Sequence, residues 1–265
     1  MIILSAPYGM TSNRFFQHIN MQAFCLEHNI EFYNCFLSNE YKHYPFLAPT
    51  NARPLLSLLI KFLYKTRIYR LFSKDFNRAE EMPEYEKLVL SSKTCYCHGW
   101  LFKVSGLAVK YREHFQRVFD PAIDKQQYIK EFLEKTSDTQ INIAVHIRRG
   151  DYKLWRNGQY YFDDKTYIDK MHQMEDKLSC RCRFIIFTND IELDVDKYAE
   201  EFDDILVSKN PVFVDHFLMS KCDYIIGPPS TFSMWASYIG NSKYYHIKER
   251  DESIDLSKFK ICDGT

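Results

Sequence analysis

Two adjacent arginines, Arg148 and Arg149, follow an apolar run in the segment 146–152, which reads His-Ile-Arg-Arg-Gly-Asp-Tyr. A guanidinium group is a planar fork of hydrogen-bond donors that suits phosphate oxygens, and it stays charged whatever the pH. Adjacent side chains of a strand point to opposite faces, so we expect the two arginines to have different tasks. One should bind the diphosphate of a nucleotide-type ligand and the other should form a structural ion pair, and position alone does not say which.

Hydroxyl side chains follow a second apolar run at residues 224–226. Gly-Pro-Pro comes next and predicts a turn, after which Ser230, Thr231 and Ser233 open a predicted helix. Ser230 is the expected N-cap, and free backbone N–H groups beside Ser and Thr at a helix start form an anion site. Because Ser and Thr cap most helices whatever their function, this group gains significance only from the arginines at a neighbouring strand end.

Asp215 lies in the predicted helix before that strand. Its carboxylate is able to accept two N–H bonds from a guanine edge, and an ordinary solvated helix acid is the competing interpretation. At the amino end, a polar loop at residues 9–18 joins the first predicted strand to the first helix. Its glycines are too few for a Rossmann or Walker-type phosphate loop, so neither NAD nor ATP is expected.

Short apolar runs alternate with amphipathic stretches from about residue 140 onward. Strands are predicted at 141–147, 184–187, 205–207, 224–226 and 244–247, and helices near 164–178, 195–202, 212–220 and 231–239. This rhythm is typical of parallel strands with crossover helices, which build a doubly wound α/β sheet. The ligand of such a sheet lies at the carboxyl ends of the strands, where Arg148 and Ser230 fall.

The first half of the chain is less regular, with a strand at 2–5, a helix from about residue 13 to 28 and a strand at 31–36. A second α/β domain fits this pattern. The boundary is expected between residues 120 and 140, giving an amino-terminal domain of 1–135 and a carboxyl-terminal domain of 136–265.

The chain has 265 residues, of which 46% are hydrophobic, enough for the core of one large or two modest domains. Lys and Arg balance Asp and Glu at 35 each, which argues against a nucleic-acid partner, although a local basic cleft is compatible with this balance. The apolar start ends at Pro7, short of a signal peptide, and no window nears the roughly 18 apolar residues of a bilayer span. The sequence predicts a cytoplasmic protein, soluble or at most peripheral to a membrane.

Eight cysteines are too dilute for a disulfide scaffold. The two Cys-x-Cys pairs, Cys95 with Cys97 and Cys180 with Cys182, lack the second pair of Cys or His residues that a metal site needs. Strand residues on one face are the expected interpretation.

Residues 54–78 mix Leu, Ile, Phe and Tyr with Lys and Arg. Such a basic amphipathic segment could touch anionic lipid. A helix that packs its apolar face on its own domain is the default interpretation.

The segment 146–152 resembles the His-x-Arg-Arg-Gly-Asp-Tyr signature of the α-1,2-fucosyltransferases, glycosyltransferase family 11. Phe-Thr-Asn-Asp at 187–190 is similar to the Phe-Ser-Asn-Asp segment of that family, and residues 230–240 are similar to its Ser-Thr-Phe-Ser-Trp-Trp-Ala-Ala-Tyr-Leu-Gly stretch. The amino-terminal loop is less similar: Asn13, Phe16 and Gln17 are retained, whereas Ser12 and Arg14 replace Gly and Gln.

The resemblance implies a GT-B-like α/β fold, two Rossmann-like domains facing across a cleft, with GDP-fucose held mainly by the carboxyl-terminal domain. It implies that Arg148 binds the donor diphosphate and that Arg149 braces the loop. The other implied positions are His146 and Asp215 near the guanine and ribose, Ser230, Thr231 and Ser233 near the β-phosphate, and Asn13 near the fucose or phosphate from the amino-terminal domain.

The family's reaction inverts the anomeric centre as GDP leaves, and Arg148 with the helix start at Ser230 would stabilise the charge on the β-phosphate. No cofactor is expected, and no metal, because no Asp-x-Asp pair stands in a metal-binding setting. An oxocarbenium-like transition state needs little help from a general base. Asp151 is the first candidate and His18 the alternative, and each has a structural interpretation as well, Asp151 as an ion-pair partner of Arg149.

The resemblance thus implies fucose transfer to a glycan hydroxyl, the 2-OH of a terminal galactose, on an acceptor that could be lipid-linked. The alternatives are a fucosyltransferase of another linkage, a transferase for another GDP-sugar, and a non-catalytic nucleotide-sugar-binding protein. Peripheral contact with the inner face of a membrane is compatible with the basic segment, and the oligomeric state is not readable from the sequence.

Overall fold

The computed structural model describes residues 1–48, 53–121, 127–136 and 140–264. The chain forms two compact units, Met1–Ala122 with Asp263–Thr265, and Ile123–Cys262. Part of the expected boundary, residues 122–126 and 137–139, lies outside the described residues. Helix α6 (Gln127–Lys135), which precedes the predicted division at residue 135, belongs to the second unit.

The second unit is built on a five-stranded sheet in the order β7-β6-β5-β8-β9, in which every neighbouring pair is parallel. Its strands are β5 (Ile141–Ile147), β6 (Cys182–Thr188), β7 (Ile205–Ser208), β8 (Tyr224–Gly227) and β9 (Lys243–His246). The chain leaves β5 in one direction and returns to place β8 on its other side. Such a switch point leaves a crevice at the carboxyl ends of the strands, where ligands of open α/β sheets bind.

The helices of this sheet follow the predicted rhythm. They are α7 (Asp164–Leu178), α8 (Asp196–Ala199), α9 (Val212–Met219) and α10 (Thr231–Gly240). Helix α7 starts where Asp163 accepts a hydrogen bond from the backbone N–H of Thr166, at 2.9 Å. The helix predicted at 195–202 is only one turn, Asp196–Ala199, although the backbone N–H of the buried Phe202 still donates to the carbonyl of Tyr198 at 3.0 Å.

The core explains why the middle strands are continuous apolar runs. Strands β5 and β6 are buried along nearly their whole length and therefore read Ile-Asn-Ile-Ala-Val-His-Ile and Cys-Arg-Phe-Ile-Ile-Phe-Thr instead of alternating with polar residues. Ile143, Val145 and Ile147 point to one cluster, which Tyr167 and Met171 of α7 complete.

The first unit contains a four-stranded sheet in the order β2-β1-β4-β3, again all parallel. Its strands are β1 (Ile2–Leu4), β2 (Phe32–Tyr33), β3 (Lys74–Asp75) and β4 (Cys95–His98), and its helices are α1 (Thr11–Glu27), α2 (Pro54–Lys65), α3 (Met82–Ser91), α4 (Ser105–Lys110) and α5 (Arg112–Val118). The sequence predicts β1, α1 and β2, a helix within the basic segment 54–78, where α2 lies, and a strand through Cys95 and Cys97, which is β4. The remaining elements, β3, α3, α4 and α5, have only two to ten residues and leave little periodicity.

The carboxyl terminus returns to the first unit, where Asn20 donates from Nδ2 to the carbonyl of Gly264 at 2.6 Å. All eight cysteines are free. Cys95 and Cys97 alternate with Tyr96 and His98 along β4 and are buried on one face, so the strand interpretation of this pair is confirmed.

Candidate functional site

Arg148 directly follows β5, and only one edge of its guanidinium group is hydrogen-bonded within the described residues. Nε and Nη2 donate to the two carboxylate oxygens of Asp151 at 3.0 and 2.9 Å. The Arg148 side chain is 25% exposed, and Nη1 donates to no acceptor within the part of the chain that the structure describes. One edge of the fork is therefore held by Asp151, and the remaining N–H groups are available to an anion.

Arg149 is paired on every side. Nε donates to the carbonyl of Phe162 at 3.1 Å, Nη1 donates to Asp190 at 3.1 Å, and Nη2 donates to Asp164. Its side chain is 11% exposed. Arg149 is thus a buried structural arginine, and its partners are Asp164 and Asp190. The interpretation of Asp151 as the partner of Arg149 is wrong, since Asp151 pairs with Arg148.

Asn189 holds the loop that carries the two arginines. Its Oδ1 accepts from the backbone N–H of Arg149 at 2.9 Å, and its Nδ2 lies 3.4 Å from Asp151. A Cβ at Gly150 would meet Nδ2 of Asn189 at 2.8 Å, so glycine permits this approach. The Phe-Thr-Asn-Asp motif therefore supplies two partners of the arginine loop, a role that the motif alone does not reveal.

Helix α10 begins beside the same loop. Ser230 caps it by accepting from the backbone N–H of Phe232 at 3.2 Å, and Thr231 is the first helical residue. Tyr152 ties the arginine loop to this helix start by donating to the carbonyl of Pro229 at 2.5 Å. The centre of the Tyr152 ring lies 5.2 Å from the Arg148 guanidinium carbon.

Ser233, which the resemblance places near the β-phosphate, lies in the first turn of α10. It is 1% exposed, and its hydroxyl donates to the carbonyl of Ser230 at 3.0 Å. Ser233 is the third residue of α10 and lies on the buried face of this helix. The hydroxyl of Ser233 is therefore engaged inside the protein, and its place near the β-phosphate stays a prediction.

Neutral aromatic rings surround the start of α10. The rings of His146 and His216 lie 5.1 and 4.0 Å from the ring of Phe232, and Nε2 of His246 accepts from the backbone N–H of Ser230 at 3.5 Å. Burial lowers the pKa of His146 and of His216 to about 3, and that of His246 to about 4. Of these three histidines, the sequence predicts a ligand-binding position only for His146, because His216 and His246 come from α9 and β9 and no motif connects them to it.

His146 has an unused polar atom. Its Nδ1 is buried and makes no hydrogen bond with any described residue. Gly227, the last residue of β8, packs directly against this histidine, since a Cβ there would lie 2.6 Å from the carbonyl oxygen of His146. Glycine at this point keeps β5 and β8 together at the switch point.

Asp215 is buried on α9, with 9% of its surface exposed. Its Oδ1 accepts a hydrogen bond from Ser208 at the end of β7, and Asn210 donates to the Ser208 hydroxyl at 2.8 Å. Burial raises the pKa of Asp215 to about 7, although the Ser208 bond opposes this rise. The interpretation of Asp215 as a solvated helix acid is therefore wrong, and its carboxyl group titrates near neutrality.

Asn13 lies in the first unit, in the first turn of α1. Gly9 has a φ of +58°, a conformation that brings the loop against the Asn13 side chain with no room for a Cβ. Gln17 fixes the same loop by donating to the carbonyls of Ala6 and Gly99 at 3.3 and 2.8 Å.

His18, the alternative general base, is 8% exposed in the core of the first unit. Its ring packs against Phe32 and Phe119, and Nδ1 lies 3.2 Å from Nδ2 of Asn34. Burial lowers the pKa of His18 to about 4. The contacts favour the structural interpretation of this residue.

A polar cavity of about 450 Å³ opens in the first unit where β1, β3 and β4 end. His98 lines it, with Nδ1 3.0 Å from the Ser73 hydroxyl and Nε2 3.8 Å from a carboxylate oxygen of Asp75. Asn77 donates to Asp75 at 2.7 Å. Burial lowers the pKa of His98 below its ordinary range. The cavity thus presents a neutral imidazole, a carboxylate and an amide, none of which sequence reasoning identified.

Acidic pairs that could be taken for metal ligands have other partners. Asp163 caps α7, and Asp164 pairs with Arg149. Throughout residues 1–48, 53–121, 127–136 and 140–264, the His, Cys, Asp and Glu side chains form no group of three that could hold a metal ion. Over the same residues, none of the helices combines the length and apolar character of a membrane span.

Fold and site together define a class: an α/β protein with parallel sheets, one of which places an arginine and a helix start at its switch point. More narrowly, the chain belongs to glycosyl transferase family 11, whose model matches residues 22–255. The predicted family is confirmed.

Two curated relatives match part of the chain. A galactoside 2-alpha-L-fucosyltransferase from Caenorhabditis elegans is 22% identical over 163 residues, which are 56% of this chain and 44% of that protein. An alpha-1,2-colitosyltransferase from Escherichia coli is 30% identical over 143 residues, which are 50% of this chain and 47% of that protein. The matches span about half the length of each relative.

Solved structures share the fold. Arabidopsis thaliana FUT1 in complex with GDP has a TM-score of 0.59 and 10% identity, with 98% of this chain and 72% of that chain covered. NodZ alpha-1,6-fucosyltransferase from Bradyrhizobium, soaked with GDP-fucose, has a TM-score of 0.57 and 12% identity, with 97% and 96% covered. The predicted α/β, GT-B-like fold class is confirmed.

Proposed function

We propose that this chain is an inverting fucosyltransferase that moves fucose from GDP-fucose to a glycan hydroxyl, the 2-OH of a terminal galactose. Family membership and the name of the Caenorhabditis elegans relative support this reaction. The observation that carries the proposal is the unequal pairing of two adjacent arginines. Arg149 is satisfied inside the protein, whereas Nη1 of Arg148 has no acceptor among the described residues.

Arg148 and the amino end of α10 bind the donor diphosphate. The first N–H groups of a ten-residue helix carry the positive end of its dipole, which favours a phosphate. The bond from C1 of fucose to the β-phosphate oxygen breaks while the acceptor oxygen bonds to C1 from the opposite face. Arg148 stabilises the negative charge that gathers on GDP, which is the usual gain from preorganised donors.

Guanine recognition involves Asp215 in this proposal. An ionised carboxylate accepts from two N–H groups of a guanine edge, and a pKa of about 7 leaves about half of the Asp215 groups ionised at neutral pH. The ring of Phe232 is partly exposed and packs at 5.1 and 4.0 Å on the buried, uncharged rings of His146 and His216, so it offers a planar base a surface for stacking.

Asp151 acts as an orienting partner of Arg148 and not as the general base. Hydrogen bonds from Arg148 lower the pKa of Asp151 below its ordinary range and occupy both of its oxygens. A carboxylate so engaged is a weak proton acceptor. The acceptor hydroxyl then passes its proton to solvent water late in the reaction, as the oxocarbenium character of fucose makes the attack favourable.

The reaction proceeds without a metal ion in this proposal, because Arg148 and the α10 start supply the positive charge at the leaving group. EDTA treatment followed by dialysis should leave the transfer rate unchanged. Loss of transfer in EDTA with rescue by Mn²⁺ would contradict this part of the proposal.

The acceptor is proposed to bind in the polar cavity of the first unit. Asp75, Asn77 and His98 offer hydrogen-bond acceptors and donors to sugar hydroxyls, and Tyr69 offers an aromatic ring at the same cavity. An Asn77→Ala variant should raise KM for the acceptor about tenfold, with little change in the affinity for GDP. A rise in the Kd of GDP with an unchanged acceptor KM would contradict this assignment.

A second candidate function is transfer of another GDP-linked sugar in the same linkage. The Escherichia coli relative is named alpha-1,2-colitosyltransferase and is the more identical of the two relatives, at 30%. The arginine site contacts the diphosphate and not the sugar, so the two candidates share the same Arg148 chemistry.

The deciding experiment combines calorimetry with a transfer assay. GDP should bind, and GDP-fucose with a terminal β-galactoside should give a product whose new linkage is read by NMR. Binding of GDP and GDP-fucose with neither transfer nor hydrolysis would indicate a binding protein, and transfer from a different GDP-sugar at a higher kcat/KM would favour the second candidate. Arg181→Lys is the matched control for an Arg148→Lys variant in both assays, because Arg181 is 84% exposed on the same unit.

A further inference from the structure

Helix α2 leaves an apolar stripe in solvent. The stripe consists of Leu55, Leu58, Leu59 and Phe62, which are 80%, 66%, 51% and 58% exposed. Positions separated by three, four and seven residues share one side of a helix. Ile60 is 2% exposed on the opposite side, where it packs in a cluster with Ile3 and Tyr33. The helix therefore has two apolar faces. The face with Ile60 packs on its own domain, as the default interpretation predicted, and the stripe on the other side is exposed.

The turn that follows α2 adds more exposed apolar surface. Ile68 and Leu71 belong to a 3-10 helix, Ile68–Leu71, and are 40% and 86% exposed, and Phe72 after it is 43% exposed. Large apolar side chains exposed together in this way mark an interaction surface, whereas single ones are ordinary.

Positive charge is concentrated around the same segment. No Asp or Glu occurs between Glu40 and Asp75, although the chain as a whole has a formal net charge of zero. The basic residues of this interval are Lys42, Arg53, Lys61, Lys65, Arg67, Arg70 and Lys74. Lys65 and Arg67, at the end of α2, are exposed. The exposed apolar stripe is thus bordered by cations with no acid in the interval.

We propose that α2 and the Ile68–Leu71 turn dock on an anionic lipid surface. Leu, Phe and Ile side chains enter the boundary between headgroups and acyl chains, and lysine and arginine side chains meet the lipid phosphates. Neither signal alone holds a protein firmly at a membrane, and this segment supplies both. A second copy of the chain on the same face would bring the two basic borders together, which charge repulsion disfavours.

Vesicle cosedimentation of the full chain tests the docking. The vesicles are phosphatidylcholine with or without about one-third phosphatidylglycerol, and the key variant is Leu58→Glu with Phe62→Glu. Both side chains are exposed, so the double variant should keep the melting temperature of the parent. Ile191→Glu is the matched control, since Ile191 is 99% exposed in the second unit.

The parent chain should bind the anionic vesicles, and binding should fall at least about tenfold in the double variant and in a Lys65→Glu, Arg67→Glu variant, and also in high salt. The Ile191→Glu control should bind as the parent does. Equal binding of the parent and the Leu58, Phe62 double variant would overturn the proposal. Absence of binding of the parent to anionic vesicles would also overturn the proposal. If the parent is then found to be a dimer that the double variant dissociates, the exposed stripe is an interface between copies of the chain.

Discussion

Arg148 and Asp151 face each other across one turn of a loop, with both carboxylate oxygens within 3.0 Å of the guanidinium nitrogens. They are three positions apart in the chain, so the pair forms within the loop and needs no other element. The carboxylate keeps the fork extended at the carboxyl end of β5 and leaves Nη1 without a partner among the described residues. In the proposed function, an arginine held in this way is positioned for a phosphate before the donor binds.

The two arginines should respond differently to substitution by Lys. Lys keeps the charge but loses the fork of donors. Arg148→Lys should weaken GDP binding about 10- to 100-fold in calorimetry and leave the melting temperature close to that of the parent. Arg149→Lys should lower the free energy of unfolding by about 2 kcal/mol or more, since one ammonium group does not replace the three guanidinium donors that meet Phe162, Asp164 and Asp190. A reversed outcome, with donor binding lost only in Arg149→Lys, would mean that the roles are exchanged.

Asp151→Asn distinguishes an orienting residue from a general base. If Asp151 is an orienting partner, the Asp151→Asn substitution should lower kcat by less than about tenfold. The acidic limb of the pH profile should then stay at the same pH. Steady-state rates from pH 5 to pH 9 give both quantities. A loss of kcat of about a thousandfold together with a lost acidic limb would restore Asp151 as the base.

Gly227→Ala should disturb the switch point. The new Cβ would meet the carbonyl oxygen of His146 at 2.6 Å and its Cβ at 2.9 Å, so β5 and β8 must separate. We expect a destabilisation of about 1 to 3 kcal/mol together with weaker GDP binding. Gly106→Ala is the matched control, because nothing lies within 4 Å of its added Cβ in helix α4, where alanine should stabilise by up to about 1 kcal/mol. Equal melting temperatures for the two variants would refute the close approach.

Donor affinity should rise with pH if Asp215 accepts from guanine. Only the ionised carboxylate accepts a hydrogen bond on each of its two oxygens. Burial raises the pKa of Asp215 to about 7. The Kd of GDP-fucose should fall about tenfold from pH 6 to pH 8, because the ionised fraction rises by about that factor. The diphosphate of GDP-fucose does not titrate in this range. Asp215→Asn should remove the pH dependence, and Asp203→Asn, at an exposed position, should retain it.

Acid should destabilise the second unit through its buried histidines. His146, His216 and His246 have pKa values of about 3, 3 and 4 in the folded chain, below the ordinary value of 6.5, because burial disfavours their charged forms. Their contribution to stability is therefore complete above about pH 6.5 and is lost as the pH falls toward 4. Each histidine should contribute at most about 1.4 kcal/mol per pH unit to the slope of the unfolding free energy against pH.

The histidine slope is measured by urea unfolding between pH 7 and pH 4. His216→Gln should reduce the slope by the share of one histidine. Identical slopes for the parent and His216→Gln would contradict burial of a neutral imidazole at this position.

Much of the second unit was determined by local sequence. The apolar run of β5 and the period of α7 were predicted with the bounds that the structure has, Ile141–Ile147 and Asp164–Leu178, because a buried strand and a long amphipathic helix leave their pattern in consecutive residues. The motif around Arg148 also predicted the family that the comparisons confirm.

Tertiary structure decided what depends on distant residues. Which arginine is structural depends on Asp164 and Asp190, which lie 15 and 41 positions from Arg149. The burial that raises the pKa of Asp215 comes from packing, and no local pattern records it. Arg148 and Arg149 are the same residue type at adjacent positions, and only the fold, by surrounding one of them with acceptors, makes them different.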